Sequence, residues 1–229
     1  MNISTQLRNG LLLTMLATAC SGAFAAESAD LSVKGVIRPS ACSIALSNNG
    51  TVDYGTISAK SLSATDVTKL PDREVTMTIN CDAATKVGFE VTDNRGESGS
   101  WILEDIDPGA WGAYPMGLGA VDGKNLGAYE IQARVADATA DGAPVADVVF
   151  AGPSGATGSL SRMGNYTNIN TVVSWSDTVA GDSRATPNSY KTISQVLRIV
   201  GALNSTANLP SLTSNVELDG SATISVVYL

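Results

Sequence analysis

Arg73-Glu-Val-Thr-Met-Thr-Ile-Asn-Cys-Asp82 alternates with period two: Val75, Met77, Ile79 and Cys81 share one face, and Thr76, Thr78 and Asn80 share the other. Successive side chains of a β-strand point to opposite faces, so the run reads as a strand with one buried side. Val87, Phe89 and Val91 repeat the pattern after a short turn. Working outward, Tyr129–Val135, Asp147–Phe150, Thr171–Ser176 and Ser194–Leu203 are further strand candidates. Breaks rich in Gly, Pro, Asp and Asn separate them, at Asp93–Gly99, Asp107–Gly112, Asp141–Pro144, Gly152–Gly158 and Gly181–Asn188. A 3.6-residue period of useful length is missing; Ser58–Asp66 has room for one short helical turn. Strands at this spacing predict an all-β sandwich, with no internal repeat and no linker to divide it.

Composition narrows the function. The 229 residues suit one domain or at most two small ones. With 14 Lys+Arg against 22 Asp+Glu the chain is acidic, which argues against nucleic acid, because phosphate binding needs a basic surface. The same balance disfavours an anionic membrane face. There is no histidine, hence neither the usual general base near neutral pH nor the commonest metal ligand.

Residues 1–25 read as a secretory signal: Arg8 gives the positive start, Leu11–Ala19 the apolar stretch, and Ala23-Phe24-Ala25 the cleavage site. The apolar stretch is shorter than the roughly 20 residues a membrane span needs. Cys20 offers a rival lipoprotein reading, but Ala17-Thr18-Ala19 lacks the large aliphatic residue expected upstream of such a site. Removal of the signal leaves two cysteines, Cys42 and Cys81, which in an exported protein read as a disulfide.

The ends of the mature chain add a second pattern. In residues 31–38, Leu31, Val33, Gly35 and Ile37 point one way, and Ser32, Lys34, Val36 and Arg38 the other; Pro39 then ends or edges the strand. In residues 220–229, Gly220 opens an alternating run in which Ala222, Ile224, Val226 and Tyr228 share a face. Taken singly, each end reads as an ordinary edge strand.

Together, Val33-Lys34-Gly35-Val36-Ile37, the Cys42…Cys81 pair and Gly220-x-Ala222-x-Ile224-x-Val226-x-Tyr228 resemble the fimbrial subunits, or pilins, of the chaperone–usher pathway. The segment ending at Cys42, followed by Val52-Asp-Tyr-Gly-Thr-Ile57, looks like one fimbria-like branch of them. The resemblance covers residues 31–92 and 216–229, and between them extends only to general β character. It implies an incomplete immunoglobulin-like β-sandwich (residues 40–229) preceded by an N-terminal donor strand (residues 26–39). Leu31, Val33 and Ile37 would be knobs in a neighbour's groove, and Gly35 would sit where that groove is too shallow for a side chain. The strand with Gly220, Ala222, Ile224, Val226 and Tyr228 would be read first by a periplasmic chaperone. The implied partners are other pilin subunits, that chaperone, an outer-membrane usher and a host or surface receptor, and the implied location is a cell-surface fimbrium reached through the periplasm. At about 204 residues after cleavage, the chain exceeds a minimal pilin, the extra length falling between Asp93 and Asn188.

Other chemistry is weakly signalled. Gly152–Ser159 is glycine-rich but lacks the lysine of a phosphate loop. Glu104-Asp105-Ile106-Asp107 and Asp137…Asp141-Gly142 lack calcium-loop spacing and read as solvated turns. Glu104 and Asp107 as a glycosidase pair have no cleft motif around them. Trp101, Trp111 and Tyr114 read as minor core, or as a receptor-binding patch. The expectation is a non-enzymatic protein with no catalytic residue, metal or cofactor. A polymerising subunit is the first reading; a secreted β-sandwich carbohydrate- or receptor-binding module acting alone is the second. The second gains if residues 26–39 complete the chain's own sandwich.

Overall fold

The computed structural model describes residues 29–37, 41–95, 115–151, 157–159, 171–179 and 186–229. The secretory signal, Cys20, Glu104, Asp107, Trp101, Trp111 and Tyr114 lie outside them. By contact, the chain divides into residues 1–38 and a compact unit of residues 39–229.

In the compact unit the strands are β1 (Cys42–Leu46), β2 (Thr68–Lys69), β3 (Arg73–Thr85), β4 (Val87–Asp93), β5 (Met116–Gly117), β6 (Ala120–Val121), β7 (Lys124–Asn125), β8 (Gly127–Ala140), β9 (Ala143–Pro144), β10 (Asp147–Ala151), β11 (Thr157–Ser159), β12 (Val172–Ser176), β13 (Tyr190–Leu203) and β14 (Ala222–Tyr228). One sheet runs β1-β3-β13-β8-β5, with β2 beside β13 and β9 beside β8; a second runs β11-β10-β12-β4-β14; and β6 and β7 form a two-stranded pair. All pairings are antiparallel. The fold is the expected all-β sandwich. The helical turn at Ser58–Asp66 is a single 3-10 turn at Ala59–Ser61, capped by the Ser58 hydroxyl.

Period two becomes burial directly. Val75, Met77, Ile79 and Cys81 of β3 and Val87, Phe89 and Val91 of β4 are all buried. They do not form a hairpin, however. At Lys86 the chain leaves one sheet and enters the other, so β3 and β4 face each other across the core. Ile79, Ile193 and Leu197 from one side meet Phe89, Val173 and Trp175 from the other, in one cluster. The Phe89 and Trp175 rings pack with centroids 5.8 Å apart.

Two strands outrun the sequence pattern. Expected to stop at Val135, β8 continues to Ala140, because its register against β13 shifts between Gln195 and Leu197. Gln195, fully buried, stabilises this bulge: its amide nitrogen donates to the carbonyls of Arg134 and Val196, and its amide oxygen accepts from the Trp175 indole N–H at 3.0 Å. A buried amide is tolerated only when so satisfied. Thr157 and Gly158, expected in a loop, pair with β10 as part of β11. The Cys42–Cys81 disulfide is present and links directly opposed residues of β1 and β3.

Candidate functional site: a groove along the open side of the sandwich

Among the described residues, β1 and β14 each have a neighbouring strand on one side only, so their other edges present unpaired N–H and C=O groups. The two edges lie across from each other at the same side of the sandwich. At one end they touch: the Tyr228 hydroxyl accepts a hydrogen bond from the Cys42 N–H at 2.8 Å. Away from that end they part, and the core between them is incompletely covered. Ile44, Leu46, Val52, Tyr54 and Ile57 on one wall, and Leu218, Ala222, Ile224 and Val226 on the other, pack against the core yet stay only half-buried.

Past β1 the chain makes a 3-10 turn at Ser47–Gly50, and beyond it the side chains of Val52 and Tyr54 are half-buried two apart on the first wall. Gly55 then takes a left-handed conformation (φ 63°), with its N–H held by the Asp53 carboxylate at 2.7 Å. This changes the phase, so Ile57 rather than Thr56 turns inward. The second wall is anchored at its start. Arg95 pairs with Asp219 at 2.6 Å, and the Asn94 amide donates to the hydroxyls of Ser221 and Thr223, each at 3.0 Å. Gly220, expected to open the terminal strand, lies two residues before β14. A side chain there would meet Leu118 and Tyr129 at 3.1 Å, so its absence lets this wall close onto the core.

Two cavities fill the space between the walls. One, of about 280 Å³, lies beside Leu46, Leu197, Ala222 and Ile224. The other, of about 590 Å³, lies beside Ile57, Leu62, Leu203 and Leu212, and its only charged lining residues are Asp53 and Glu217. Val52, Tyr54 and Leu218 line both. The Arg73 guanidinium sits 5.4 Å from the centre of the Tyr54 ring. Burial pushes the Tyr54 phenol above its ordinary pKa, against the opposing pull of Arg73. The Tyr54 hydroxyl oxygen is buried and has no hydrogen-bond partner among the described residues. A buried polar atom left unpaired costs about 1–3 kcal/mol.

The structure thus brings Ala222, Ile224, Val226 and Tyr228 to one wall of the groove. Residues 29–37 carry no regular secondary structure and are exposed throughout; Leu31 is 91% and Ile37 99% exposed. Of the acidic residues weighed for calcium, Asp141 uses its carboxylate to accept the N–H groups of Lys191 and Thr192, and Asp137 pairs with Arg134. The sequence singled out Val52–Ile57 on the first wall only as part of the resemblance and gave it no place in a groove; its local signal was the two-residue spacing of Val52 and Tyr54, which breaks after Gly55.

Over 238 aligned residues the chain is 29% identical to the uncharacterised protein YhcF of Escherichia coli (strain K12), covering 96% of this chain and 98% of that protein. Residues 31–130 match a family model described as a protein of unknown function, DUF1120.

Proposed function

We propose that this protein is a structural fimbrial subunit that polymerises by donor-strand exchange. Its groove receives the N-terminal strand of one neighbour, and its own residues 26–39 fill the groove of another. The observation that supports this best is the half-buried apolar floor between two unpaired strand edges. An added strand would hydrogen-bond to the edge backbone and bury alternate side chains, the two sources of affinity in β-strand addition. Three knobs such as Leu31, Val33 and Ile37 contribute roughly 5–8 kcal/mol before entropy costs. Until then the exposed floor makes the subunit prone to aggregate, which calls for a periplasmic chaperone on the β14 wall and an usher for assembly. On this reading the chain is exported, supports adhesion at the cell surface and catalyses nothing. A binding module acting alone gains if residues 26–39 complete its own sandwich; the described residues 29–37 lie in no strand, which favours the polymerising reading.

Deleting residues 26–38 tests the reading. Sedimentation velocity should show loss of polymer while circular dichroism keeps a cooperative β-sheet melt. A deletion that unfolds the compact unit, or one that polymerises as the full chain does, would overturn it.

A further inference from the structure

Between β13 and β14 the chain runs along the larger cavity. Among the described residues, no hydrogen bond ties residues 210–218 of this connection to the rest of the molecule; the bond inside it joins the Ser211 and Thr213 hydroxyls at 3.2 Å. Its two ends, by contrast, are fixed. At the first, Leu209 is buried, its N–H donates to the Ser205 carbonyl at 3.0 Å, and its carbonyl accepts from Lys124 Nζ at 2.9 Å. The buried Pro210, with its restricted φ, stiffens the exit from that anchor. At the second end, the Asp219 N–H donates to the Leu118 carbonyl at 2.9 Å. Arg95 grips the same residue twice, with Nη2 on the carboxylate at 2.6 Å and Nε on the main-chain carbonyl at 2.8 Å.

Between these anchors the side chains divide. Leu212, Val216 and Leu218 are half-buried and line the cavity of about 590 Å³, while Ser211 and Glu217 are exposed. Leu218 packs against the buried core, but Leu212 and Val216 do not. Apolar side chains with empty space on one side forgo the dispersion contacts of a packed interior. A segment with such side chains and no main-chain bonds to its surroundings has little to hold it in one position.

We propose that residues 210–218 are a strap that opens and closes over the larger cavity, with Arg95 as its latch. Closed, the strap covers the cavity with Leu212 and Val216; open, it admits apolar groups from solvent. Control sits at Arg95 because the Leu209 anchor is buried, whereas both partners of the Arg95–Asp219 pair are exposed to water. Salt screens an exposed pair, so the open population rises with ionic strength. The strap belongs to a single chain, so its motion is read on the monomer and stands whether or not the chain polymerises.

The test is the alkylation rate of one introduced cysteine in the full chain, read at that residue by peptide mass spectrometry: Leu212→Cys on the inner face of the strap and Ser211→Cys on the outer. At low salt, position 212 should react at least about fivefold more slowly than position 211. Adding Arg95→Ala should raise the rate at 212 about three- to tenfold and leave that at 211 unchanged. Sodium chloride at about 0.5 M should accelerate position 212 in the parent chain but not in Arg95→Ala. If Arg95→Ala melts without cooperativity, Asp219→Asn, which keeps the main-chain contacts at 219, takes its place. Equal rates at 211 and 212 in the parent chain overturn the strap. A slow position 212 that neither the substitution nor salt accelerates overturns Arg95 as its latch.

Discussion

Glycines in this chain do opposite things, and the difference is a matter of ångströms. A Cβ at Gly127 would lie 2.2 Å from the Ala202 carbonyl oxygen and 2.9 Å from Leu203 Cα, both backbone atoms of the paired strand β13. Neither can move without breaking the ladder. Gly127→Ala should therefore destabilise at the upper end of the roughly 1–3 kcal/mol typical of overpacking. In a domain of this size that lowers the thermal midpoint by about 6–12 °C. A Cβ at Gly35 meets nothing within 4 Å. Gly35→Ala should leave the melt of the isolated subunit unchanged, and scanning calorimetry of the two variants side by side checks the contrast. An equal loss at both positions would mean that residues 31–37 belong to the core of their own chain. Gly55 shows a third use: its left-handed φ changes which side chains of the first wall face inward, a local event with a consequence for the whole groove.

At the scale of the element, β1 is a five-residue strand that pairs, among the described residues, with β3 alone, and the Cys42–Cys81 bridge sits at its first residue. The bridge closes a loop with a sequence separation of 39, for which loop-closure entropy gives roughly 4 kcal/mol. It also holds one wall of the groove, and through the Cys42 N–H it positions the contact with Tyr228. Replacing both cysteines with serine should cost about 2–5 kcal/mol of stability. It should also weaken binding of a synthetic peptide of residues 26–39, measured at a temperature where the variant remains folded. Unchanged peptide affinity in a folded variant would restrict the bridge to a stabilising role. The bridge was legible from the two cysteines left in a chain whose first 25 residues read as a secretory signal. The edge position of β1 was not, since it depends on which strands fail to arrive beside it.

For the molecule as a whole, three phenols are built into the sandwich with pKa values raised above the ordinary value. Burial is the leading cause at Tyr54, Tyr129 and Tyr190, and at Tyr190 the Asp177 carboxylate, 2.6 Å from the hydroxyl, adds to it. The unfolded chain loses these protons near pH 10, before the folded chain does. Stability from the neutral phenols is thus intact below about pH 10 and declines as pH rises above it. Thermal midpoints measured from pH 8 upward should be level and then fall beyond about pH 10, and the fall should be shallower in Tyr129→Phe. An equally steep fall in that variant would move the cause elsewhere. The same interior explains why β-strand propensity alone did not outline the fold: a buried Gln195 and a bulge near Arg134 extend β8 beyond the point where its alternation ends.

What the sequence by itself determined is what depends on local facing. Alternation at 73–82 and 87–91 named the buried side chains correctly, because each residue of a strand must point opposite to the last. The inward face of Ala222, Ile224 and Val226 was legible for the same reason. Tertiary structure alone decided which sheet each strand joins, because pairing is set by distant partners: the chain changes sheets at Lys86 with nothing in the local pattern to mark it. It alone decided that β1 and β14 face each other across a core that the described residues cover incompletely, and that Tyr54 stands between two cavities with its hydroxyl unpartnered among those residues. An open edge is the absence of a neighbour, and period two reports which way a side chain points but not what lies beyond it.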